Sequence, residues 1–185
     1  MKRLFCYLTL LVAGGLNAAE FDYGLKARQI APDVHVFVGR TEDFTPANGG
    51  NIVNTGFIVA PGGTIVIDSG SSRRYGEQMR QAIAGISPKS VALVINTHHH
   101  PDHFLGNQAF ADTPIAALAA TRQGIGADGN VFAENLYGLT GDWMKGTEVF
   151  APTQTLACSS CDSSFCLAAN LSCRRRPFCC TAAFA

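Results

Sequence analysis

The chain has 185 residues, 47% of them apolar and 15% charged, with no net formal charge. That is the composition of one folded domain of modest core size, and it excludes a disordered or collagen-like chain. The neutrality hides a distribution: residues 20–156 carry 13 acids against 9 bases, a net of about −4, which argues against nucleic acid as a partner.

Residues 1–19 have the form of an export signal. Lys2 and Arg3 make a basic start, residues 4–16 an apolar run, and Asn17-Ala18-Ala19 a small-residue exit. The run is short for a membrane-spanning helix, so cleavage after Ala18 or Ala19 is expected, a retained anchor being the alternative. Cys6 lies inside the apolar run rather than at its exit, which argues against a lipoprotein. The expected location is periplasmic or secreted, with no stable membrane insertion after cleavage.

Residues 21–31 offer little beyond an entry segment. Residues 34–38, Val-His-Val-Phe-Val, alternate as a strand does, and His35 on one face reads as structural. A polar, Gly-rich loop over 40–51 follows. Two strands, 52–60 and 64–67, flank the turn Pro61-Gly62-Gly63, and the second ends in Asp68-Ser69-Gly70. An acid at the end of a buried strand can accept hydrogen bonds from loop backbone or from a ligand histidine, a role for Asp68 that stands against that of a plain turn acid. Residues 72–85 place Tyr75, Met79, Ala82, Ile83 and Ile86 at helical spacing, with Ser71 or Ser72 as cap.

The run 91–96, Val-Ala-Leu-Val-Ile-Asn, has the length and apolarity of a buried strand, and it leads into Thr97-His98-His99-His100-Pro101-Asp102-His103. Residues two apart on a strand point the same way, so His98 and His100 can share a cation while His99 faces elsewhere. Pro101 breaks the extension. Asp102, in an N-cap-like place before a helical turn over 103–110, swings with His103 toward a second position. Neutral imidazoles and a carboxylate hold Zn²⁺ at about 2.0–2.2 Å. Histidine runs are also found as tags or metal-sticky surface tracts, but this one is interior and interleaved with Pro and Asp. A strand, a helix and a strand ending at the histidines make a βαβ-like unit with its ligands at the carboxyl end.

The H-x-H-x-D-H pattern after a buried strand resembles that of the metallo-β-lactamase-fold hydrolases, most nearly the exported branch called quinoprotein relay system zinc metallohydrolases. The resemblance runs from about Phe21 to about Thr155. It implies an α/β fold, the metallo-β-lactamase-type αββα sandwich, with its N-terminal half present and its second half truncated. It also implies His98 and His100 on one zinc, Asp102 and His103 on a second, and Asp68 behind them. Iron is the lesser alternative to zinc. The implied reaction is hydrolysis of a small-molecule ester, thioester, lactone or lactam, with Asp102 as the catalytic group that orients water. In that fold the 40–51 loop overhangs the metals, so Phe44, Asn48 and Asn51 are candidate substrate contacts, against the alternative of an ordinary connection.

The family pattern further requires a third His, a bridging Asp and a final His. After His103 the sequence has no histidine. Residues 114–118 read as a short buried strand, and 120–139 as a helix broken near Gly124, Gly126 and Gly129, each glycine costing about 1 kcal/mol against Ala. Trp143 and Phe150 are expected to pack, and 148–155 to begin the strand opening the second half. From residue 157 the character changes. Six of the seven cysteines fall between Cys158 and Cys180, with Arg174-Arg175-Arg176 among them. Cys158-x2-Cys161 suggests a zinc knuckle, and six cysteines a disulfide framework, but the composition reads as an out-of-frame or non-native tail.

The expected organisation is therefore a signal at 1–19, a partial metallo-β-lactamase-like domain at 20–156, and a Cys-rich tail at 157–185. The expected function is a zinc hydrolase impaired by truncation. The alternatives are an exported, non-catalytic zinc-binding or accessory protein of a periplasmic quinoprotein dehydrogenase system, and a Cys-rich disulfide module on a scaffold.

Overall fold

A computed structural model describes residues 21–157 and 181–182. The export-signal segment and the cysteines from 158 to 180 lie outside the described residues. Strands β1 (Arg28–Ala31), β2 (Val34–Phe37), β3 (Thr55–Ala60) and β4 (Gly63–Ile67) form an antiparallel meander. The order of the sheet follows the order of the chain. Helix α1 (Arg73–Ala84) then crosses over to β5 (Val91–Asn96), which runs parallel to β4. β6 (Ile115–Leu118) and β7 (Gln154–Ala157) continue in parallel, and the two-residue β8 (Thr181–Ala182) pairs antiparallel with β7. Between β5 and β6 lie the single-turn α2 (Pro101–Phe104) and a 3₁₀ turn, Asn107–Phe110. Between β6 and β7 lie α3 (Ala119–Thr140) and a 3₁₀ turn, Gly141–Met144. This mixed sheet with helices is the α/β class that the resemblance implies.

Alternation along the strands divides the core into layers. Phe57, Val66 and Val94 face α1, whose Tyr75, Met79 and Ile83 are buried against them with Phe37, Phe110 and Ile115. Leu93, Ala116 and Leu156, packed with Ile65 and Ile95, form a separate cluster. Cross-strand register accounts for both layers, since Val66 pairs with Val94 and Ile65 with Leu93. A third cluster joins Phe104 and Leu105 to Ile125 and Leu136 of α3 and to Met144. Ser72 caps α1: its hydroxyl accepts a hydrogen bond from the Tyr75 amide at 3.0 Å.

Several expectations need correction. Residues 28–31, read as entry segment, form an exposed edge strand, where burial leaves no alternating signature. The strand expected from residue 52 starts at Thr55, and that expected from 148 starts at Gln154. Ile86 is 46% exposed rather than part of the core face of α1. Asp102 is not the N-cap; His100 holds that place with no side-chain cap bond, because Pro101 opens the helix and puts Asp102 inside the first turn. The helix expected over 103–110 is divided into α2 and the 3₁₀ turn.

Helix α3 runs unbroken through its glycines. Packing overrides propensity there: a Cβ at Gly124 would lie 2.8 Å from the His99 ring, and one at Gly129 2.8 Å from Val149. The missing side chains let α3 sit close against its neighbours, which offsets the helix-propensity cost of glycine.

Gly70 supplies a check on this packing. Its φ is +91°, and a Cβ there would overlap the buried Tyr75 ring. Gly70→Ala should cost about 2–4 kcal/mol, from left-handed strain and overpacking. Gly62→Ala, where a Cβ meets nothing within 4 Å, should leave the thermal midpoint unchanged. Equal midpoints for the two variants would contradict the packing described.

Candidate metal centre

Parallel pairing of β4 with β5 sets the loops leaving their carboxyl ends side by side. Asp68 leaves β4 there. It is 2% exposed, its φ is +58°, and its amide donates to Ile95 O at 2.8 Å. A non-glycine residue in this backbone region is uncommon and is held only where the surroundings over-determine it. The surroundings do so. Asp68 Oδ1 accepts the Thr97 amide at 2.8 Å, and Oδ2 accepts the Thr97 hydroxyl and the His103 Nδ1–H, both at 2.8 Å. Three donors satisfy a carboxylate that burial would otherwise penalise.

These bonds decide where the imidazole protons sit. The single Thr97 hydroxyl proton goes to Asp68, so at the 2.9 Å contact with His98 the threonine oxygen accepts and His98 Nδ1 donates. His103 likewise carries its proton on Nδ1. Both rings are thereby held in the tautomer that leaves Nε2 with a free lone pair.

The four residues of the H-x-H-x-D-H pattern lie together. The rings of His98 and His103 are closest, with centroids 3.9 Å apart, and those of His98 and His100 are 4.7 Å apart. The His100 side chain is exposed, and Asp102 Oδ2 is 3.6 Å from His103 Nε2. His99 turns away toward α3, its ring 6.2 Å from that of Phe132. His35, on the sheet, stacks flat on Phe57 with centroids 4.6 Å apart. The His98 imidazole is held below its ordinary pKa, chiefly by desolvation and then by the charges of His103 and His100, with Asp68 and Asp102 pulling the other way.

The loop residues fare differently. Asn48 is 3% exposed and its amide is spent within the loop: Nδ2 donates to Glu42 Oε2 and Asp43 O, and Oδ1 accepts from the amides of Thr45 and Gly50. It shapes the loop. Phe44 packs against the Phe104 and Leu105 cluster, while Asn51 is half-buried and its main chain pairs with Arg40 and Asn48. Trp143 packs on Phe21 and Tyr23 and donates to Pro46 O at 2.9 Å. Sequence reasoning missed Thr97, Ser69, Asn96 and Asn107; none has a local signal, since each is a polar residue whose partners come from elsewhere in the chain.

Residues 48–142, just over half of the chain, match the family model described as the metallo-beta-lactamase superfamily. The chain belongs to that superfamily. Its likeness to solved structures includes a metallo-β-lactamase from Erythrobacter litoralis with β-mercaptoethanol in the active site, at 17% identity and a TM-score of 0.49, over 72% of this chain and 50% of that one. TMB-1 is 20% identical with a TM-score of 0.45, over 57% of this chain and 48% of its own. The DIM-1 metallo-β-lactamase exposed to ceftazidime is 17% identical with a TM-score of 0.47, over the same shares. The chain spans about half the length of these structures. No curated protein matches it.

Metallo-β-lactamase superfamily members are mostly hydrolases and usually bind zinc. By donor chemistry the residues fit such an ion: neutral imidazoles with bare Nε2 atoms beside a carboxylate are zinc ligands. By arrangement the set is incomplete. Among the described residues no group of three or more His, Cys, Asp or Glu side chains forms a ready metal cage.

The depressed His98 pKa has a measurable consequence. In metal-free protein His98 should titrate below 6.5, and His103→Gln should raise its midpoint without fully restoring it, because burial contributes most. A folded-state pKa below the unfolded value means the neutral ring's contribution is intact above about 6.5 and declines as pH falls below it. Imidazole NMR titration checks this, and a His98 midpoint at or above 6.5 would contradict it.

Proposed function

We propose that this chain is a zinc-dependent hydrolase of the superfamily, exported to the periplasm or secreted, and related to the quinoprotein relay system zinc metallohydrolases. The carrying observation is the shared control of His98 and His103 by Asp68, which bares Nε2 on both rings beside Asp102. His98 and His100 would hold one ion and Asp102 and His103 a second. When bound, zinc lowers the pKa of water toward neutrality and polarises a carbonyl. Asp102 would accept a hydrogen bond from the attacking water and orient it. Asp68 keeps the His103 ring from turning. The lowered His98 pKa favours the neutral ring, the state a metal ligand needs. The substrate would be a small ester, thioester, lactone or lactam.

Turnover by the chain as it stands should be weak. Within these 185 residues no histidine follows His103, whereas the resemblance asks for two further imidazoles, one on each ion. The incomplete arrangement of donors among the described residues favours a second reading, a non-catalytic zinc-binding or accessory protein of a periplasmic quinoprotein dehydrogenase system.

Zinc calorimetry on the metal-free full chain, with turnover assays on a chromogenic β-lactam, a thioester and an aryl lactone, separates the readings. The hydrolase reading expects zinc uptake, lost in His98→Ala and His103→Ala, and slow turnover proportional to zinc content. Uptake without turnover favours the accessory role. No uptake, or uptake indifferent to both substitutions, overturns the metal site.

A further inference from the structure

Behind the histidines lies a buried polar cluster that the proposed chemistry does not use. Ser69, Asn96 and Asn107 are each at most 1% exposed. Asn96 and Asn107 form a reciprocal amide pair: Asn107 Nδ2 donates to Asn96 Oδ1 at 2.8 Å, and Asn96 Nδ2 donates to Asn107 Oδ1 at 3.0 Å. Asn107 Oδ1 also accepts the Ser69 hydroxyl at 2.8 Å, and Asn107 Nδ2 also donates to Phe150 O at 2.9 Å. Every donor and acceptor of the Asn107 amide is therefore occupied. The remaining Asn96 donor reaches the main-chain oxygen of His103 at 3.2 Å, where the Ser69 amide also arrives at 2.9 Å.

His103 is thus gripped at both ends. Its ring is held by Asp68, and both lone pairs of its carbonyl are taken by donors from the β4 loop and the end of β5. The carbonyl grip depends on Asn107, which fixes the rotamer of Asn96 and, through Phe150, ties the segment before β7 to the same point. A satisfied buried network of this kind is rigid, and removing one member leaves its partners unpaired at high cost.

We infer that Asn107 is a positioning residue for His103, acting through Asn96 and Ser69 and touching neither metal nor substrate. The inference rests on the reading of His103 as a metal ligand, but its structural half can be observed without metal. Asn107→Asp preserves size and the Oδ1 acceptor but replaces the amide nitrogen, with both its donors, by a second oxygen that would face Asn96 Oδ1 and Phe150 O. Ser69→Ala removes one hydroxyl and leaves the amide pair.

The test uses the full metal-free chain. The hydrogen-bonded Nδ1–H of His103 is followed by NMR, zinc affinity by calorimetry, and folding by circular dichroism, with His103→Ala as control. Asn107→Asp should broaden or shift the Nδ1–H signal and lower zinc affinity about 10- to 100-fold, the usual effect of losing a group that supports a ligand. Ser69→Ala should do both to a smaller degree. If Asn107→Asp does not fold, Ser69→Ala decides. An unchanged signal and unchanged affinity in a folded variant overturn the positioning role. Zinc binding indifferent to His103→Ala overturns the metal reading instead, and the Nδ1–H signal then still decides whether Asn107 positions that ring.

Discussion

The Asp68 carboxylate is the fixed point of this structure. A buried charge must collect donors or be lost, and the donors it collects are the backbone and hydroxyl of Thr97 and the ring of His103. That need draws together two loops, from β4 and β5, which the Ser69 amide also ties at the His103 carbonyl. The strained backbone of Asp68 belongs to the same arrangement: its φ of +58° turns the carboxylate toward the neighbouring strand end, and the hydrogen bonds hold it there. Electrostatics, backbone geometry and histidine tautomer are in this sense one interaction viewed three ways.

Around that point the fold separates two kinds of support. The apolar layers beneath α1 place the strand ends, and their placement tolerates little change because Val66, Val94, Tyr75 and Met79 are fully buried. The polar cluster of Ser69, Asn96 and Asn107 then sets the backbone beyond the strand ends. Hydrophobic burial gives position to within the width of a side chain, whereas directional bonds give orientation, and a ligand set requires both.

The residues that showed themselves in the sequence are those whose signal is local. Alternation revealed β2, an unbroken apolar run of strand length revealed β5, helical spacing revealed α1, and the H-x-H-x-D-H pattern stood out because its members are adjacent. Asp68 was legible because an acid closing an apolar strand has few other uses. β1 was not legible, since an exposed edge strand of Arg28-Gln29-Ile30-Ala31 has no buried face to alternate. Nor was the continuity of α3: Gly124 and Gly129 read as breaks until His99 and Val149 are seen against them. Thr97, Asn96 and Asn107 were silent for a related reason. Their meaning depends on partners 29, 7 and 11, or 43 positions away, and nothing in a single polar residue announces such partners. The nearest ring pair is also not the one that strand alternation suggests, because the Pro101 turn folds His103 back on His98.

The separations along the chain carry one more meaning. Asp68 and His103 lie 35 residues apart, linked through a single strand–helix–strand crossover. Closing a loop of that size costs little more entropy than closing a short one, since the cost grows only with the logarithm of length. The histidine cluster and the carboxylate that holds it thus belong to one contiguous segment. The Phe150 main chain reaches the same cluster from 43 residues beyond Asn107, a longer loop that closes at little further entropic cost.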